Sequence, residues 1–169
     1  LCGQADPHSA GRLPWPLGHI EPNMIPPTKI PDRSDWYGYE DDLDVPYMRD
    51  LFYGKSNEEV QEYFGENRSI ERAAELLSCP RAVFQYYVFA FAHFLISERA
   101  IGDPDSASPF LGLLEAREKL DPGSVQEIYS SLEECVAFVA SKQAYFEAPI
   151  EIYGDFRERY QDIRKACGA

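Results

Sequence analysis

His93 is the histidine placed inside the folded part of this chain. An imidazole ordinarily titrates near neutrality, so it is the side chain best suited to take and return a proton. General-base chemistry also needs a carboxylate or hydroxyl within hydrogen-bond reach. The sequence identifies no such partner: at helical spacing the neighbours of His93 are Phe89, Ala90, Ile96 and Ser97. A partly buried structural histidine is the expectation, with a cryptic hydrolase or lyase built on His93 as the alternative. His8 and His19 lie among prolines, where nothing fixes a side chain.

Other reactive patterns fall short of a site. Gly54-Lys55-Ser56 lacks the upstream glycine and strand of a phosphate-cradling loop, and reads as a helix stop followed by an N-cap. Asp41, Asp42 and Asp44 lack the central glycine and distant glutamate of a calcium loop, since Gly38 precedes them. They suit a helix entry, where carboxylates complement the dipole. No Gly-x-Ser-x-Gly elbow and no dinucleotide fingerprint occurs. Glu58, Glu59, Glu62 and Glu66 line an acidic helical face without convergence on a cleft. Cys2, Cys79, Cys135 and Cys167 form no C-x-x-C pair and have no histidine at zinc-ligand spacing. No metal, cofactor or catalytic residue is therefore expected. Cys79 and Cys135 read as small core residues, which suits a reducing, cytoplasmic setting.

What remains is recognition. Trp36, Tyr37 and Tyr39 stand beside Glu40, Asp41, Asp42 and Asp44, and Glu58, Glu59 and Glu62 extend the acidic strip. Aromatic anchors supply interface area and carboxylates supply steering. The competing expectation is that these rings pack back onto the domain.

The elements that would position such a strip are helices. Over Arg81–Arg99, Val83, Phe84, Tyr87, Val88, Phe91, Phe94 and Leu95 make one apolar face, and Tyr86, Phe89, His93 and Ile96 make most of another. A helix apolar nearly all round must be covered on several sides. It should begin after Pro80 and stop near Gly102. Around it the 3.6 period predicts shorter helices. One is capped by Asp44 and ends at Gly54; a second opens at a Ser56–Glu59 capping box; a third starts at Ser69 with Ile70, Ala73, Ala74 and Leu77 inward. Then come helices from Ser108-Pro109, carrying Phe110, Leu113, Leu114 and Leu120, from a Ser124–Glu127 box, and after Ala148-Pro149, with Ile152, Phe156, Tyr160 and Ile163 inward. No period-2 strand is evident. The fold class is all-α: a compact multi-helix bundle around a central hydrophobic helix. Residues 36–169 form a single domain.

Residues 1–35 hold seven prolines, which fix φ and remove donors, so they should form an extended tail, either disordered or lying along the domain with Trp15, Leu17 and Ile20 in grooves. The chain opens Leu1-Cys2-Gly3 and its first methionine is Met24. Residues 1–23 are therefore expected to lie upstream of the native start, a lipoprotein cleavage before Cys2 being the alternative.

With 29 acidic against 16 basic residues, the net charge is −13. That balance disfavours nucleic acid and anionic membrane as partners, and favours a basic protein. In size, charge and helical pattern the chain resembles the small acidic helical immunity proteins of bacterial toxin systems. Phe52-Tyr53-Gly54-Lys55, Gln85-Tyr86-Tyr87 and Ile152-Tyr153-Gly154-Asp155-Phe156 look like family signatures. The resemblance implies a non-enzymatic binder that neutralises a basic toxin; it transfers no functional residue. A helical structural protein, dimerising through its surplus aromatics, is the other alternative.

Overall fold

A computed structural model describes residues 22–38 and 42–169, apart from the side chain of Asp44. The expectations for Trp15, Leu17, Ile20, Tyr39, Glu40 and Asp41 fall outside the described residues. In chain order the helices are α1 (Asp44–Phe52), α2 (Asn57–Val60), α3 (Ser69–Ser78), α4 (Arg81–Leu95), α5 (Pro104–Leu120), α6 (Tyr129–Ser141), α7 (Ile150–Tyr153) and α8 (Phe156–Ala166). Single 3-10 turns cover Gln61–Phe64, Glu98–Ala100 and Gln126–Ile128. Among the described residues there is no strand, and the all-α bundle is the observed fold.

The central helix is α4. From Val83 to Leu95 only Gln85 and His93 retain appreciable contact with solvent. Its cover comes from α2, the 61–64 turn, α3, α5 and α6. Aromatic contacts knit these layers: Phe91 stacks on Phe64 at 4.6 Å and meets Phe110 edge-on at 5.3 Å, while Tyr87 meets Phe52 edge-on at 5.0 Å. Such pairs add about 0.5–1.5 kcal/mol beyond burial alone. The Tyr87 hydroxyl donates to the Phe52 carbonyl, which satisfies a polar atom in an otherwise apolar core. α4 ends at Leu95, short of Gly102, and the chain tightens into the 98–100 turn.

Helix starts divide the predicted caps into those that form and those that do not. Ser56 accepts from the Glu59 amide at 3.3 Å and Glu59 accepts from the Ser56 amide at 2.7 Å, completing the first capping box. The second box does not form. Glu118, one helix earlier, accepts from the amides of Gly123, Val125 and Gln126, and the Ser124 hydroxyl turns inward to the Arg117 carbonyl. Asp42 accepts from the Val45 amide at the start of α1, where Asp44 is the first helical residue and Leu43 holds the cap position. Ser69 donates to the Phe64 carbonyl and leaves α3 without a side-chain cap. α5 opens at Pro104, where proline's missing donor and fixed φ are harmless, and Pro109 lies inside it. The last helix is two: Gly154, at φ 75°, breaks it, and Asp155 recaps α8. Ile70, Ala74 and Ile152, expected on inward faces, are exposed.

A buried arginine locks the α3–α4 corner to α5. Arg117 donates to the carbonyls of Leu77 and Cys79 at 2.7 and 2.8 Å and to Asp121 at 2.9 Å. Its guanidinium also lies 5.0 Å over the Phe84 ring. Arg81, from the first turn of α4, grips the same Asp121. Residues 22–32 cross the bundle without helix or strand, and turns follow over 33–38. The Asn23 amide reaches Glu134 on α6, Met24 packs on the core, and Pro31 and Trp36 are buried.

Candidate binding surfaces

The aromatic and acidic strip is split by the fold. Trp36, expected to face a partner, is only 4% exposed and lies 6.2 Å from Tyr87. The chain must bury this indole to anchor the 22–36 segment, so it is core and not contact surface. Tyr37, its neighbour, is 77% exposed. It shares a shallow concavity with Tyr53, Asp32, Arg33 and Ser34. Asp42 is half-buried and serves α1. Asp44 sits in the first turn of that helix.

The Tyr37–Tyr53 concavity has defined electrostatics. The Ser34 hydroxyl and amide and the Lys29 ammonium hold the Asp32 carboxyl far below its ordinary range, so it stays ionised. The Arg49 guanidinium lies 5.2 Å from the Tyr53 ring centroid, a cation–π contact. Leu43 (92% exposed) and Tyr47 add uncovered apolar area nearby in sequence. Tyr47 follows the expected strip directly in sequence, whereas Tyr53, which carries much of this exposed area, was not among the expected contact residues. The position of Tyr53 next to buried Phe52, at the end of α1, was the available signal.

Glu58, Glu59 and Glu62 are all exposed, yet they do three different things. Glu59 is committed to the capping box, and the Ser56 amide pulls its carboxyl below the usual range. Glu58 borders a groove with Pro26, Pro27, Tyr86 and His93. Glu62 borders a separate pocket of arginines.

His93 is half-buried at the edge of the Glu58 groove. Burial pushes its pKa down, while a hydrogen bond to the Phe89 carbonyl pushes it up. One ring nitrogen is thus bonded to its own helix. Tyr86 accepts from the Asn57 backbone, and its hydroxyl is pushed up by burial. Burial likewise raises the Cys79 and Cys135 thiols, the latter pointing at the Ala92 carbonyl, and raises Cys167 to about 11. Such thiols are poor nucleophiles at neutral pH. Among the described residues no group of three or more His, Cys, Asp or Glu is placed to hold a metal ion. Nor is any described helix long and apolar enough to cross a membrane.

No protein-family model matches this chain, and neither does any curated protein or solved structure. The all-α class thus comes from the coordinates themselves, and function must be argued from the surface.

Proposed function

We propose that this protein is a non-catalytic binding module that recognises a basic protein, in the manner of an acidic inhibitor or immunity protein masking a toxin. One observation carries the reading: Tyr37 and Tyr53 stand exposed around a concavity beside an ionised Asp32, in a chain of net charge −13. The Arg49–Tyr53 stack exemplifies the contact that an incoming arginine would make with Tyr37. Long-range attraction brings the partner in, and the rings provide the area that holds it.

The test is a partner recovered by cross-linking from the source cell, followed by association kinetics across salt. The association rate should fall at least about tenfold between roughly 20 and 500 mM salt, because screening shortens the reach of exposed charges. Tyr37→Ala should mainly raise the dissociation rate, costing about 1–2 kcal/mol, since Tyr37 makes no core contact. A salt-independent rate together with full affinity in Tyr37→Ala would sink the proposal. Asp42→Lys is a poor substitute, because it also removes the α1 cap.

A further inference from the structure

The pocket bordered by Glu62 has a composition that the acidic character of the chain does not explain. Its lining brings together Arg68, Arg72 and Arg99, with Leu51, Tyr63 and Gly65. Three of sixteen basic residues share one depression in a molecule carrying twenty-nine acids. Neither Arg68 nor Arg99 makes an ion pair among the described residues. Glu62 and Glu66 also reach the lining, and neither is paired with these arginines.

Arg72 is 1% exposed; its Nη2 pairs with Glu75 at 2.9 Å and Glu71 at 3.4 Å, and its Cζ lies 5.5 Å over the Tyr47 ring. Its buried Nε has no acceptor. A guanidinium carries five donors in a fixed fork, and the Nε donor of Arg72 is left in reserve where water is scarce. Arg99 is held from the opposite side. Its Cζ lies 5.7 Å over the Phe94 ring, and its Nη2 presses on Gly65, where an added Cβ would meet it at 3.0 Å. Gly65 does not adopt positive φ, so the glycine serves this close approach rather than a turn. The next residues, Glu66 and Asn67, hold φ of 57° and 63° and carry the chain to α3. The first turn of α3 is flanked by Arg68 and Arg72 and has no side-chain cap. The positive end of its dipole adds to the field, and Glu71 in the same turn offsets part of it.

We infer that this pocket binds the phosphoryl group of a small phosphorylated organic ligand. Three guanidinium groups offer more donors than the two oxygens of a carboxylate accept; a phosphoryl group presents three charged or partly charged oxygens. The cavity, about 370 Å³, is far larger than a bare phosphate. Leu51 and the Tyr63 ring give the remainder an apolar wall. Glu62 and Glu66 set the limit on charge: they offset part of the arginine field, which disfavours a polyanion such as a nucleic-acid backbone. This site is independent of the basic-partner reading, since Tyr37 and Tyr53 take no part in it.

The experiment is titration of the full chain with inorganic phosphate, phenyl phosphate and benzoate, followed by amide chemical shifts and calorimetry. Phosphate should saturably shift amides of residues 65–72 and Arg99. Phenyl phosphate should bind at least about tenfold tighter than phosphate and at least about tenfold tighter than benzoate, each step being 1.4 kcal/mol. Arg68→Ala with Arg99→Ala should weaken phenyl phosphate at least about tenfold, while Arg157→Ala, an exposed arginine elsewhere, leaves it unchanged. Circular dichroism checks that the double variant folds. If it does not, Arg68→Lys with Arg99→Lys, which keeps charge but loses the fork, should show the same loss in smaller measure. The inference is overturned by absence of saturable shifts up to roughly 50 mM phosphate, by shifts confined to other residues, by equal loss in the Arg157 control, or by tighter binding of benzoate than of phenyl phosphate.

Discussion

Arg117 and Arg72 are both almost wholly buried, and both lack an acceptor for Nε, yet they sit in opposite situations. Arg117 uses both terminal nitrogens on structural acceptors: two carbonyls at the α3–α4 corner and the Asp121 carboxylate. Arg72 pairs through Nη2 with Glu75 and Glu71 and leaves Nε without an acceptor, and it faces a cavity with two further arginines that make no ion pair among the described residues. The difference shows how a buried cation can be read. Where its donors end on backbone carbonyls that nothing else could satisfy, it holds a corner together; where donors are left over beside other cations, it waits for an anion. The same division separates Asp121, gripped by Arg81 and Arg117, from Glu62 and Glu66, which grip nothing nearby.

The largest effect should come from Arg117→Ala. It strands two buried carbonyls and half-frees Asp121, and removal of one partner from a buried charge network costs about 3–5 kcal/mol. Urea unfolding checks this. A loss below about 1 kcal/mol would mean that water or local relaxation satisfies the corner, and the contrast with Arg72 would collapse. Glu118→Ala should follow, at about 1.5–3 kcal/mol, because one carboxylate accepts from three backbone amides at the start of the 124–128 turn. Ser124→Ala should cost less, since that hydroxyl makes a single bond of 3.3 Å.

That pair of serines also marks how far local pattern reaches. Ser56–Glu59 was legible because both bonds close within four residues. Ser124–Glu127 has the same spelling, but Glu118 arrives from α5 and takes the amides first. Glu127 turns instead to Arg81 and Gln85 on α4. The central helix was legible for a like reason: a run of fifteen residues with two solvent-reaching side chains after Val83 admits one solution, burial on all sides. Trp36 follows the competing expectation that the rings pack back onto the domain: its acidic neighbours suggest surface, but its own segment is anchored across the bundle through contacts with distant helices. The arginine pocket left no trace in the sequence. Arg68 and Arg72 are one turn apart, but Arg99 joins them only after α4 has run its length and turned back. The Tyr37–Tyr53 concavity was half legible: Tyr37 was expected, and Tyr53 needed the fold.

His93 provides a smaller and pH-specific effect. Burial lowers its folded pKa from the ordinary 6.5. Between the folded and unfolded values the unfolded chain binds more protons, so stability rises with pH there and is flat above it. Lowering pH through about 6.5 should therefore destabilise the fold, before Asp121, whose pKa is depressed by Arg81, begins to lose its contribution at lower pH. Glu58 faces the same groove and would attract a protonated imidazole, which limits the size of the loss. His93→Gln should erase the step near pH 6.5 and leave the more acidic one. Persistence of the first step in that variant would assign it elsewhere.

The smallest expected change is the most discriminating. Arg68→Ala with Arg99→Ala should alter unfolding free energy by no more than about 0.5 kcal/mol, because neither guanidinium is paired with a carboxylate and both lie at the surface of the fold. The Arg99–Phe94 contact adds about 0.5–1 kcal/mol at an exposed site, and relief of like-charge repulsion around Arg72 opposes it. Stability and ligand affinity should thus separate: Arg117 moves the first and leaves phenyl phosphate binding to folded protein intact, while Arg68 and Arg99 move the second. If the double variant instead unfolds as readily as Arg117→Ala, the pocket arginines are structural cations after all. The reserve of donors around Arg72 would then be packing left incomplete, and the two buried arginines would belong to one class.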